Sequence, residues 1–234
     1  MGGDGRVYTV TSAKGGVGKS TTAANLGAMF GASNRETVVV DADLATPALT
    51  SHLDCSSSPS LHDVLAGETE VDEALVEHVG FDVLPGTPGA AAFAGVDIAR
   101  LRPVVGTLRE RYDVVVVDGG PGLSHDTVVP MQLADRVLLA TTPDEASVEA
   151  AATTAEVAER VDARVEGCVV VKVTDRDQLD DVRRRLDAPI AAAVPRDDAV
   201  PRSQDLGKPV VVAAPSAPAA KAYWALAGRR PETD

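Results

Sequence analysis

Residues 12–21, SAKGGVGKST, decide how this chain is read. They follow a β-branched run, 7–11, and lead into an alanine-rich segment with helical spacing, 21–30. In that setting Gly15, Gly16 and Gly18 let the backbone curl so that successive N–H groups point inward at an anion. A helix beginning near Ser20 adds the partial positive charge of its first turn. Lys19 then reaches the outer charges of a polyphosphate and the Ser20 hydroxyl a magnesium ion, the logic of a phosphate-binding loop. The common pattern, G-x-x-x-x-G-K-[ST], wants glycine at position 13; this chain has Ala13 and, beside it, a second lysine, Lys14.

That second lysine stands out because the chain is acidic. Its 234 residues carry 35 Asp and Glu against 22 Lys and Arg, a formal net charge of −13. Most of such a surface repels a polyanion, so general affinity for nucleic acid or anionic lipid is disfavoured. Any anion that binds must be drawn to a local exception. The composition, rich in Ala and Val with 3% aromatics, is similar to that of proteins from salt-accumulating cells. Cys55 and Cys168 are too few and too far apart for a metal knuckle or a redox pair, and read as ordinary buried or partly buried thiols. No apolar run approaches membrane-spanning length and the start of the chain lacks a signal pattern, so a soluble cytoplasmic protein is expected. The length suits a single domain over residues 1–234.

Further β-branched runs recur at 37–40, 81–84, 113–117, 136–140, 168–173 and 190–194, with helical spacing at 145–161 and 178–186. Runs apolar on both faces and separated by helices predict an α/β, doubly wound, mainly parallel sheet with helices on both sides. Ligands of such sheets sit beyond the carboxyl ends of the strands. Three strand ends carry chemistry: the glycine loop, Asp41 and Asp43 after the second run, and Asp118 closing VVVV. Residues 51–95 are less regular, with SSSPS (56–60) and PGTPGAAAFAG (85–95) read as surface loops. His52, His62, His78 and His125 are scattered and read as surface or loop residues.

The motif KGGVGKST, together with VVVDADLATPALTSHL (38–53), YDVVVVDGGPGLSHDT (112–127) and VPRDDAVPRSQDLGKPVV (194–211), resembles the deviant Walker A ATPases of the MinD/ParA group, in particular the MinD-like members. The resemblance covers nearly the whole chain. It implies ATP or ADP with Mg2+ as ligands. The phosphates would be held by Lys14, Gly15, Gly16, Val17, Gly18, Lys19, Ser20 and Thr21. Pro195, Arg196 and Asp197 match the loop that contacts adenine, and Lys172 stands where relatives often carry Arg or Asn. Ser20, Asp41 and Asp118 would serve the metal. Asp43 would orient or activate the attacking water, with Lys14 and Lys19 completing the catalytic set.

In that group the extra lysine, here Lys14, crosses a dimer interface to phosphates held by the other subunit. The resemblance therefore implies a weak, partner-stimulated ATP hydrolase whose ATP-bound homodimer positions other components, in cell division or polar organisation. The alternative is a nucleotide-dependent binding module with little or no hydrolysis. No basic cluster for nucleic acid is read outside the glycine loop. The last helix, AAKAYWALAGRR, has too few basic residues for a membrane anchor, and Tyr223, Trp224 and Leu226 read as core contacts. Recruitment to a pole or membrane would then run through an unidentified protein partner.

Overall fold

The computed structural model describes residues 5–89, 92, 95–122 and 125–227. Arg229, Arg230 and the closing PETD of the sequence reading lie outside the described residues.

The chain opens with β1 (Arg6–Ser12), α1 (Lys19–Ala32) and β2 (Thr37–Ala42). Three short helices follow, α2 (Leu49–Leu53), α3 (Leu61–Ala66) and α4 (Val71–Ala74), then the hairpin β3 (Val76–His78) and β4 (Phe81–Leu84). The alternation resumes with α5 (Leu101–Arg111), β5 (Val114–Pro121), α6 (His125–Leu133), β6 (Arg136–Thr141) and α7 (Glu145–Arg160). It continues through β7 (Val165–Val173), α8 (Asp177–Arg185) and β8 (Ile190–Pro195). The closing helices are α9 (Ala199–Asp205), α10 (Val210–Ala213) and α11 (Pro218–Ala227).

The eight strands form one sheet in the order β3-β4-β2-β5-β1-β6-β7-β8. Every neighbouring pair is parallel except β3 with β4. The parallel runs are buried on both faces because alternate residues serve opposite cores. Val114 and Val116 join Tyr8, Val39 and α1 on one side, while Val115 and Val117 join Val7, Val38 and α5 on the other. A strand with two buried faces cannot show apolar-polar alternation, which is why these segments read as unbroken valine runs. Among the described residues, no helix is long and apolar enough to cross a membrane.

Departures from the sequence reading concentrate where elements are short. The region 51–95 holds α2, α3, α4 and the β3–β4 hairpin; four to six residues carry too little periodicity to announce a helix. The β3 strand, VEH, is an antiparallel edge with no buried residue. The strand that carries Asp118 runs on to Pro121 through two glycines instead of ending with the valines. Trp224, expected in the core with Tyr223 and Leu226, is 37% exposed. His62, expected at the surface, is buried. Its Nε2 donates to the Leu44 carbonyl at 3.0 Å and its Nδ1 accepts from the Thr87 amide at 3.1 Å, so the ring staples two loops.

Candidate nucleotide site

The carboxyl ends of β2, β5 and β1 lie side by side, so three loops distant in sequence meet. Asp41 stands opposite Asp118 in the register, and Ser12 opposite Pro121. The glycine loop leaves β1 and turns into α1 through Gly18, which adopts the left-handed conformation at φ 80°. A side chain there would be strained, and its Cβ would also lie 3.2 Å from Val171 Cγ2. No side chain caps α1, so its first-turn amides and partial positive charge remain available to an anion. Val17 is buried beneath the loop and anchors it to the core.

Beneath the loop lies a dense charge cluster. The Lys19 ammonium donates to Asp118 Oδ1 at 2.9 Å and to Asp43 Oδ2 at 3.2 Å, and lies 3.4 Å from the Ser20 hydroxyl. Asp43 Oδ1 accepts from the amide and the hydroxyl of Thr46, both at 3.0 Å. Asp41 Oδ2 accepts from the Leu49 amide at 2.9 Å, which ties α2 to the end of β2. The remaining oxygens, Asp41 Oδ1 and Asp118 Oδ2, are buried without a hydrogen-bond partner among the described residues.

Three buried carboxylates thus face one buried ammonium, and the ionisation equilibria reflect the imbalance. Burial pushes the Asp41 carboxyl well above the ordinary carboxylate range, and neighbouring Asp118 pushes it further. Burial also raises Asp118, against the pull of Lys19. For Lys19, burial alone would favour the neutral amine, but Asp118, Asp43 and Asp41 together outweigh it and hold the proton more tightly than usual. Orphaned carboxylate oxygens with surplus negative charge suit an additional hard cation reached directly or through water.

Above this cluster opens a cavity of 560 Å³, a size typical of small-molecule sites. The glycine loop, Ser20, Pro195, Arg196 and Asp197 line it. Of the expected site residues, Lys14, Lys19, Thr21, Asp43 and Lys172 also line it, whereas Val17, Asp41 and Asp118 do not. Asp197 holds its part of the lining in place by accepting from the amides of Ala199 and Ala219, which joins α9 to α11. Those two amides, in that order, also hold its carboxyl below the usual range.

Within the single chain the two outer lysines have partners of their own. Lys14 turns toward the start of α7, 3.6 Å from Asp144 Oδ1 and 3.4 Å from the Ser147 hydroxyl. Lys172, expected near the base, donates to the Gly16 carbonyl at 2.8 Å. Sequence reading missed His52, Gln204 and the Asp144–Ser147 pair. His52 lines the cavity with its Nδ1 buried and without a hydrogen-bond partner among the described residues, and burial lowers the pKa of its imidazole. Gln204 donates to the Thr21 hydroxyl at 2.9 Å. Asp144 was legible as a helix cap, since its side chain accepts from the Ser147 amide; its contact with Lys14 links positions too distant for any local pattern.

Two further features bear on chemistry. A basic cluster does exist in α8, Arg183 to Arg185, contrary to the sequence reading. Arg183 and Arg184 pair with Asp180 and Asp181, and Arg185 reaches Glu145 and Glu149. Neither cysteine lines the cavity. Cys168 is buried in β7, where burial pushes its thiol up to about 12.

Comparison with known proteins places this geometry in context. A family profile described as ParA, NUBPL iron-transfer P-loop NTPase, matches residues 5–229. An uncharacterized ATP-binding protein of Methanocaldococcus jannaschii is 31% identical over 227 residues, covering 94% of this chain and 86% of that protein. Among solved structures, the cell division ATPase MinD of Pyrococcus furiosus superposes with a TM-score of 0.89 at 29% identity, covering 97% of this chain and 98% of that one. The septum site-determining protein MinD of Pyrococcus horikoshii, complexed with Mg-ADP, gives a TM-score of 0.89 at 25% identity, over 95% and 94% of the two chains.

Proposed function

This chain belongs to the ParA family of P-loop NTPases, and from that premise we propose that it binds Mg-ATP in the 560 Å³ cavity and hydrolyses it slowly within an ATP-dependent dimer. The dimer would position other cellular components. The observation that carries the reading is the surplus of carboxylate under the glycine loop, with Lys19 drawn down onto Asp43 and Asp118. The Pyrococcus horikoshii relative is complexed with Mg-ADP and the Pyrococcus furiosus relative is a cell division ATPase, which supports the same ligand and reaction class here.

Ser20, Asp41 and Asp118 would hold magnesium, with the unpartnered oxygens of the two aspartates as acceptors. Magnesium, when bound, neutralises phosphate charge and stabilises the leaving group. The amides of the glycine loop and of the first turn of α1 bind the phosphate chain. Lys19 exchanges a carboxylate partner for a phosphate oxygen, which frees Asp43 Oδ2. Asp43, kept oriented by its two bonds from Thr46, is then positioned to accept a hydrogen bond from the attacking water. Phosphoryl transfer needs placement and charge neutralisation more than a covalent nucleophile.

Lys14 is the residue suited to a second subunit. Half of its side chain is exposed and its hold on Asp144 is long, so it leaves its own chain at little cost. Phosphate release should fall by at least about tenfold in Asp43→Ala, in line with general-base contributions. Light scattering should show a dimer with ATP, a monomer with ADP, and loss of the ATP dimer in Lys14→Ala. Equal phosphate release in wild type and Asp43→Ala would remove Asp43 from the mechanism and favour a binding module with incidental hydrolysis.

A further inference from the structure

We propose that Lys172 is a positioning residue for the phosphate loop: by holding the Gly16 carbonyl it fixes the peptide between Gly16 and Val17, and with it the direction of the Val17 N–H, in the conformation that binds polyphosphate. The inference rests on the nucleotide reading of the same cavity and departs from the sequence expectation, which placed Lys172 with the base.

In a planar trans peptide, the carbonyl of one residue and the N–H of the next point in opposite directions. Lys172 Nζ donates to the Gly16 carbonyl at 2.8 Å, which orients the Val17 N–H to the opposite side. A loop that binds an anion with its amides must turn its carbonyls away from it, and those carbonyls need partners of their own. Here the partner is an ammonium, which also polarises the peptide and strengthens the donor on its other end. Gly16 itself sits at φ 74°, a conformation that without such a tether glycine leaves readily.

The backbone of Lys172 shows what its reach requires. Four non-glycine residues among those described have positive φ: Asn34, Asp54, Asp162 and Lys172. Asn and Asp tolerate that region because their short polar side chains bond locally. Lys172, at φ 58°, is the long side chain in the set. The β7–β8 register slips between Val170 and Val173 around it, and the preceding residue, Val171, packs against the position of Gly18. Two consecutive residues of β7 thereby hold the loop at two glycines, by contact at Gly18 and by hydrogen bond at Gly16. Strain of this kind persists where surrounding structure imposes it, and such sites cluster at ligand clamps.

Three proteins test the idea: wild type, Lys172→Met, which keeps the stem and removes the donor, and Lys172→Arg, which retains a donor. Each is titrated with ATP, GTP and inorganic tripolyphosphate, and the Val17 amide is followed by NMR hydrogen exchange without ligand. Lys172→Met should weaken ATP and tripolyphosphate by the same factor of about ten, the scale of one charge-assisted hydrogen bond. The ATP-to-GTP ratio should stay unchanged, Val17 exchange should quicken, and Lys172→Arg should recover most of the affinity. Weakened ATP binding with unchanged tripolyphosphate binding, or an altered ATP-to-GTP ratio, would overturn the proposal in favour of a base contact. If wild type binds none of the three ligands, the nucleotide reading fails. Equal Val17 exchange in wild type and Lys172→Met overturns the positioning role whatever the ligands do.

Discussion

Lys19 places its ammonium 2.9 Å from Asp118 and 3.2 Å from Asp43 in a buried cluster, whereas Lys14, on the same loop, rests 3.6 Å from Asp144 with 52% of its side chain exposed. The same residue type, carried on one short stretch of backbone, meets two dielectric environments. In the first, removing one partner strands charges that water cannot reach. In the second, solvent replaces any partner that leaves, and the contact is worth at most about 1 kcal/mol. Lys19 is therefore part of the buried framework of its site, whereas Lys14 can change partners at little cost to the fold.

The larger effect belongs to Lys19. Lys19→Met should abolish measurable nucleotide binding and destabilise the ligand-free protein by about 3 kcal/mol, because Asp43 and Asp118 lose their shared cation. Urea unfolding beside an ATP titration checks both effects. Unchanged stability would mean that the buried aspartates do not depend on the ammonium. Lys14→Ala is the counterpart: its ligand-free stability should stay within about 1 kcal/mol of wild type, and single-chain ATP affinity should persist in dilute solution even though the dimer is lost. A Lys14→Ala protein as unstable as Lys19→Met would erase the distinction.

The smallest effect sharpens the exposed side. The Thr142 hydroxyl, followed by Ser147, pulls the Asp144 carboxyl down to about 2, and the same side chain caps α7. A carboxyl depressed in the folded state stabilises above its ordinary pKa of about 3.9 and loses that contribution as pH falls through its folded value. Asp144→Ala should therefore cost about 1 kcal/mol at pH 7, the usual worth of an N-cap. That deficit should hold steady down to about pH 4 and shrink toward pH 2. Urea midpoints at pH 7, 5 and 3 follow it; a deficit independent of pH would show that the lost side-chain contacts, and not the charge, were responsible.

How much of this was legible in the sequence depends on the length scale of the signal. Strand runs such as TVVV and DVVVV announced a two-sided parallel sheet because both faces are buried, and the spacing of Gly15, Gly16 and Gly18 announced a loop at a strand end. Asp41, Asp43 and Asp118 could be grouped because the strand-end rule brings them together before any coordinates are known. The β3 edge strand was hidden, since three residues with no buried face leave no pattern. Partnerships across the fold were hidden as well: the contacts of Lys14 with Asp144 and of Lys172 with Gly16 link loops that only the sheet order makes neighbours. His62 looked like a loop histidine because nothing local marks a ring that bridges two distant backbone groups.

Isothermal titration of the wild-type protein with ATP, in concentrated potassium chloride with magnesium, decides whether the cavity beside the glycine loop takes a nucleotide. The predicted result is a saturable heat corresponding to one nucleotide per chain, lost when Lys19 is replaced by Met. Absence of heat with every purine triphosphate, in protein shown to be folded by circular dichroism under the same conditions, would contradict it.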